Sequence, residues 1–495
     1  MVQEPTAKSL CLRCNKLIGI VRKVFQTHIR KWQRQWDMRH KIDPTDYDVY
    51  KGDNWPTWEE FLKGSNTGVA DVDVEIDDFV KKFAGQGKYF PIKTATACQS
   101  KWTWNTLWLN EARSGSCHRA GYDNVTVENF NLHNGPNKIL ARQQMLDGKW
   151  PGNGCEYCRD IEAVGGHSDR QHNNNIPGLS PEELESDQTA VVVTQRIQEI
   201  FADNTCNLSC IYCNSNLSSK IEQENHRYGE FKQKGVWLKD TLANKQDNKD
   251  LYAKFIEWLA DNVHHLRRLH LLGGETFIQH KLMSDVLDIL EQNPNDQLKL
   301  GIFSNMNAPE KHWQTYIQRI KNLPIKGFDL IASIDCWGEQ QQYVRHGLDL
   351  DLFEQRLAWA SEQQDWLTLN VNQTITNMTI KTMPDLIRIL NKYNTHKHIG
   401  QYFEFFVGDQ QYQHPKIFAY DMWQEDFKRI YNEMRKQTAE QQEVFTRLQG
   451  LEQQLESVKQ HDYKQIENLH TYLDELDRRR GTNWRQLFPY LDIHE

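Results

Sequence analysis

An alternation constrains this chain more than any other feature. Arg268 to Leu272, Leu298 to Ser304, Phe328 to Asp335, Leu367 to Thr376 and Phe403 to Val407 read as strands. Between and around them, 251–264, 280–292, 309–322, 351–362 and 380–393 carry the apolar spacing of helices. Strands that take turns with helices imply βαβ units and a parallel sheet. In such a sheet ligands bind at the carboxyl ends of the strands. The polar residues that close these runs, Ser304-Asn305 and Ser333-Ile334-Asp335, are therefore candidate ligand contacts.

Upstream lies the run Cys206-Asn207-Leu208-Ser209-Cys210-Ile211-Tyr212-Cys213, with C-x3-C-x2-C spacing. Three thiolates can ligate three irons of a 4Fe–4S cluster and leave the fourth iron open. Zinc-bound or simply buried cysteines are the alternatives. The strand at Arg268 ends in Gly273-Gly274-Glu275. Two glycines let the backbone approach a ligand closely, and Glu275 can accept a charge-assisted hydrogen bond.

Triad, aromatic and Gly-Gly-Glu turn together resemble the radical S-adenosylmethionine superfamily. The resemblance implies an α/β fold: a partial (β/α)6 barrel with an N-terminal auxiliary-cluster module and a C-terminal helical segment. It implies that the open iron is chelated by S-adenosylmethionine. Reductive cleavage then gives a 5′-deoxyadenosyl radical that takes a hydrogen from substrate. It implies that Tyr212 stands at the cofactor and that Gly273, Gly274 and Glu275 hold its amino group. Ser304 and Asn305 would approach the methionine and ribose. Ser333, Asp335 and Arg345 would contact the ribose or carboxylate. For these last five a strand-end cap or turn is the alternative.

Four further cysteines, Cys98, Cys117, Cys155 and Cys158, suit a tetrahedral sulfur site, either zinc or iron–sulfur. Their surroundings, including Trp102, Trp104, His118-Arg119 and the tail Arg478-Arg479-Arg480, resemble the auxiliary-cluster region of twitch-domain proteins. That resemblance implies a second 4Fe–4S cluster; structural zinc and unliganded thiols are the alternatives. The order departs from the family's usual one, because these cysteines precede the triad and none follows Cys336. Cys336 is either a cavity-facing hydrogen donor or a small buried hydrophobe. Cys11 and Cys14, with His28 and His40 nearby, match no finger spacing and read as free thiols on a flexible arm.

The chain has 495 residues, enough for two or three domains. The expected division is a basic, aromatic segment over 1–90, an auxiliary module and linker over 91–189, the barrel over 190–420 and a helical hairpin with tail over 421–495. Residues 1–41 hold ten Lys or Arg against two Asp or Glu. A nucleic-acid contact is possible there, although the overall charge of −8 argues against general affinity. No apolar run long enough for a bilayer and no secretory signal is found, so a membrane role is not expected and a reducing cytoplasm is. The implied partners are a peptide or small-molecule substrate and a low-potential electron donor. A nucleoside substrate, or a zinc-stabilised binding protein on a decayed barrel, are the rival readings.

Overall fold

Six strands join the sheet in the order in which the chain makes them. The computed structural model describes residues 94–119, 121–152, 154–163, 168–174, 192–229, 232–233, 236–237, 248–394, 397–405, 410–434 and 442–495. The expectations for the basic segment, for Cys11 and Cys14, and for the linker beyond residue 174 lie outside these residues. The strands are β1 (Trp104–Trp108), β2 (Arg113–Gly115), β3 (Asp123–Asn124), β4 (Ile197–Phe201), β5 (Ser209–Cys210), β6 (Lys232–Gln233), β7 (Val236–Trp237), β8 (Arg268–Leu272), β9 (Asn295–Ser304), β10 (Ile325–Ser333), β11 (Arg345–His346), β12 (Leu367–Ile375) and β13 (Gly400–Phe405).

The main sheet runs β13-β12-β10-β9-β8-β4-β1-β2-β3. From β4 to β13 every neighbour is parallel, and the order never reverses. Right-handed crossovers without a reversal put all the connecting helices on one face. Those helices are Lys249–Asn262, His280–Gln292, Glu310–Lys321, Leu350–Glu362 and Met383–Tyr393. They match the sequence expectation closely; the last is entered through a short 3-10 turn, Ile380–Thr382. Leu269, Leu271, Leu300, Ile302, Leu330 and Leu369 alternate along the strands and bury with Phe255, Leu259, Val286, Leu290, Phe353 and Leu357 of the helices. Each such side chain contributes roughly 1.5–3 kcal/mol by leaving water.

The N-terminal module extends the same sheet: β1 pairs in parallel with β4, and β2 and β3 follow antiparallel. The two ends of the sheet then meet. Arg119, beyond β2, places its guanidinium 3.5 Å from Glu404 on β13 and 3.8 Å from Asp169. In a flat sheet β2 and β13 would stand on the order of 30 Å apart. The sheet is therefore strongly coiled, with its helices outside.

The C-terminal hairpin is corrected. Helices Gln442–Glu456 and Tyr463–Arg480 form, with a break around His461. They do not pair along their lengths: the first packs on β13 and on helix Gln424–Met434, the second on the 3-10 turn Gln411–Gln413. Apolar positions such as Ile466, Leu469, Leu473 and Leu476 join one buried cluster with Leu448 and Leu455 of the first helix and with Phe418, Trp423 and Phe427. Asp462 caps the second helix at Gln465 N (3.1 Å), and Gly481 ends it with φ +69°. Among the described residues no helix is long and apolar enough to cross a membrane.

Candidate functional site

Parallel register brings every strand's carboxyl end to one rim, and the triad loop leaves β4 there. Cys206 N donates to Ser219 Oγ (3.1 Å), and Cys213 N turns back to the Cys210 carbonyl (3.1 Å). Short strand β5 pairs antiparallel with β11, setting Cys210 opposite Arg345. Between the second and third cysteines, the Ile211 carbonyl accepts from Gln413 Nε2 (3.0 Å) and from the Tyr472 hydroxyl. The C-terminal helix thus braces the loop from behind.

The Gly-Gly-Glu turn closes the other side. Glu275 N donates to the Thr205 carbonyl at 2.8 Å, just before the first cysteine. Gly273 and Gly274 have φ of +86° and +45°. A Cβ on Gly274 would overlap the Thr205 carbonyl, and one on Gly273 would meet Asp203 O at 3.0 Å. The glycines were expected to admit a ligand; what approaches them here is the backbone of the cysteine loop. Glu275 is fully buried, and its carboxylate accepts from Ser304 Oγ (2.8 Å), Asn305 N (2.6 Å) and Phe277 N (3.2 Å). Burial raises its pKa to about 7, against these hydrogen bonds. Asn305 Nδ2 donates to Asn207 Oδ1 (2.8 Å), so Ser304 and Asn305 are tied to both the turn and the triad loop. The next residue, Met306, holds φ +54°, a strained value for a non-glycine residue, while its carbonyl accepts from buried Arg356 (2.9 Å).

Asp335 is saturated within the protein. It accepts from Arg345 Nε (2.8 Å) and a second Arg345 nitrogen (3.0 Å), from the Tyr212 hydroxyl (2.7 Å) and from Thr374 N (2.8 Å). Four donors fill the four acceptor positions of a carboxylate. The remaining Arg345 nitrogen lies 4.0 Å from Cys210 Sγ. Tyr212, Asp335 and Arg345 therefore act as one buried unit whose free end is a cation at the second cysteine. Ser333 stands half-buried at the end of β10. Cys336 is fully buried, its pKa pushed far up by burial, and it takes the buried reading.

Burial raises the thiol pKa at Cys206 to about 12, with Cys210 adding to it; burial and mutual repulsion raise that of Cys213 too. A metal centre that supplies positive charge would reverse both effects. Three thiols carried by one loop at the rim are the donor set that a thiolate-ligated cluster needs.

The four other cysteines gather at the sheet's amino-terminal extension. Cys98 precedes helix Gln99–Thr103, Cys117 follows β2, and Cys155 and Cys158 open helix Glu156–Ala163. Burial raises the pKa of Cys98, with Cys117 adding to it. Burial brings Cys155 to about 11 and Cys158 to about 12, with Cys98 and Cys117 contributing to both. Sequence reasoning missed the cation among them. Lys101 is 4 % exposed and donates to the Cys155 sulfur; burial opposes its charge, yet the thiols of Cys155, Cys117 and Cys98 hold its pKa above the usual value. Arg170 fixes the loop before Cys98 by donating to the Ala97 carbonyl (2.8 Å) and pairing with Glu162. No three of these cysteine sulfurs, nor those of the triad, lie mutually within 4.8 Å. Four thiolates on one zinc at 2.3 Å would stand ~3.8 Å apart.

A second missed group lies between the modules. Glu199 on β4 accepts from Thr106 Oγ1 (2.7 Å) and contacts His118 Nε2 (2.9 Å) and His270 Nδ1 (3.2 Å). Burial opposes its charge, but the two histidines hold its pKa below the carboxylate range. The sequence signal was available: Glu199 and His270 interrupt apolar strand runs, where a polar residue needs a partner.

No family model and no curated protein matches the sequence. Among solved structures, Streptococcus suis SuiB aligns at 12 % identity and a TM-score of 0.34, over 56 % of this chain and 56 % of that one. SuiB bound to S-adenosylmethionine aligns at 11 % identity, and SuiB bound to precursor peptide SuiA at 12 %, each at a TM-score of 0.34, covering 68 % of this chain and 69 % of theirs. Superposition this loose leaves the fold to rest on the strand order and register described above.

Proposed function

We propose that this chain is a radical S-adenosylmethionine enzyme on a partial (β/α)6 barrel. Cys206, Cys210 and Cys213 would hold a 4Fe–4S cluster with one iron open to the cofactor. One observation carries the reading: the triad loop and the Gly-Gly-Glu turn lock together at the carboxyl rim, with Glu275 N on Thr205 O (2.8 Å). A chance C-x3-C-x2-C and a chance turn have no reason to meet there. When bound, the cluster supplies the electron that cleaves the sulfonium and so delivers the hydrogen-abstracting radical.

The chain's own residues orient and shield. Glu275 has three protein donors and a carboxylate has about four acceptor positions, which leaves one for the cofactor's ammonium. Ser304 and Asn305 hold Glu275 in place. Asp335 and Tyr212 hold Arg345 at Cys210 rather than reaching a ligand themselves. Cys98, Cys117, Cys155 and Cys158 would hold a second 4Fe–4S cluster. The twitch resemblance favours a peptide or protein substrate; the chemistry requires a low-potential electron donor, and thiolate ligands suit a reducing cytoplasm.

Anaerobic reconstitution with a low-potential reductant tests this directly. The protein should release 5′-deoxyadenosine and methionine from S-adenosylmethionine, and Cys213→Ala should abolish release. A loaded cluster that yields no 5′-deoxyadenosine with any reductant would end the assignment.

A further inference from the structure

We propose that His470, Asp492 and His494 form a separate site for one divalent ion of the zinc class. The inference goes beyond the cysteine chemistry and does not rest on it. His470 lies in helix Tyr463–Arg480 and is 8 % exposed, whereas Asp492 and His494 are exposed and follow the 3-10 turn Pro489–Leu491. One ligand atom from each stands within 4.8 Å of the others. Asp492 Oδ1 and His494 Nε2 are already 3.3 Å apart. Ligands at 2.0–2.1 Å around a tetrahedral zinc stand ~3.3 Å apart, so a small side-chain adjustment closes the set.

The buried histidine is held as metal-binding histidines are held. Its Nε2 lies 2.7 Å from the Leu491 carbonyl, which can only accept, so Nε2 carries the proton and Nδ1 the lone pair of the neutral ring. The ring stacks on Trp484 (5.0 Å between centroids, 28° between planes), which fixes its orientation. Two imidazoles and one carboxylate suit zinc and leave its fourth position for water. Arg485, 3.3 Å from Asp492 and also paired with Asp474, is the competing cation that the metal displaces from Asp492. Bound metal would pin residues 484–494 to the helix whose Tyr472 braces the triad loop.

Equilibrium dialysis of the full reduced chain against Zn2+, with Co2+ as the spectroscopic probe, tests the site. The comparison is wild type against His494→Ala and Asp492→Asn, both exposed side chains whose loss leaves the core untouched. Removing a ligand should weaken this one site by roughly tenfold or more. The difference spectrum with Co2+ should show d–d absorption without thiolate-to-cobalt charge transfer, since no sulfur is involved. Equal uptake by all three proteins, or a difference spectrum dominated by thiolate bands, overturns the proposal.

Discussion

The triad of 206–213 and the four cysteines of 98–158 reach their positions by opposite routes. The triad is local: one loop, hung from β4 and closed by backbone bonds at Thr205, Cys210 and Ile211. The four-cysteine set is assembled from separate segments by side chains, with Lys101 among its thiols and Arg170 fixing the loop before Cys98. A local set depends on backbone shape and on what touches it from outside. A dispersed set depends on buried charge, because connectivity holds only Cys155 and Cys158 together and leaves Cys98 and Cys117 to be brought in. Both sets nevertheless place a buried cation at a sulfur, Arg345 at Cys210 and Lys101 at Cys155.

That contrast can be broken at each set separately. The largest effect is expected at Gly274→Ala, where a Cβ overlaps the Thr205 carbonyl and φ is +45°. The cost should be on the order of 4 kcal/mol or more, since backbone must move at a strained position. Iron per chain after reconstitution should fall from about eight to about four, because one of the two proposed 4Fe–4S clusters is lost. Loss of both clusters would mean that the two sets are not separable.

Lys101→Met should act in the opposite place. Removing a buried cation from beside sulfurs that ligate the proposed cluster leaves thiolate charge uncompensated, at roughly 3 kcal/mol. The triad cluster and cofactor cleavage should persist while the auxiliary iron is lost. If auxiliary iron is retained at wild-type level, buried charge is not what assembles that set.

The smallest effect is expected at Arg345→Lys. Lysine keeps the charge but cannot pair with Asp335 through two nitrogens and also reach Cys210. Loss of the sulfur contact is worth about 1 kcal/mol. In a one-electron couple this lowers the triad cluster's potential by about 40 mV, because a nearby cation favours the reduced, more negative state. Redox titration followed by electron paramagnetic resonance reads the shift, with iron content unchanged. An unmoved potential would leave Arg345 a packing residue.

Much of the molecule was legible before folding. Alternation at periods of two and near 3.6 residues marked the strands and helices of 251–405, because burying one face against another imposes those periods. The triad was legible because its ligands lie within eight residues of chain. The rest was not. Leu448 and Leu469 showed apolar faces, but a face does not say what it meets, and both are buried in one cluster with Trp423 and Phe427. Asp335 and Tyr212 looked like ligand contacts, yet they are turned toward Arg345 by a register between β5 and β11 that no local pattern encodes.

Local chemistry determined by itself that this chain builds a parallel α/β sheet and carries a three-thiol loop beside a Gly-Gly-Glu turn. Only the tertiary structure decided that the glycines serve the cysteine loop, that Lys101 sits among the thiols of Cys98, Cys117 and Cys155, and that Arg119 and Glu404 meet across the sheet's ends. The physical reason is common to all three. Each depends on a distance to residues far apart in sequence, and that distance exists only once the strands have paired and the sheet has formed.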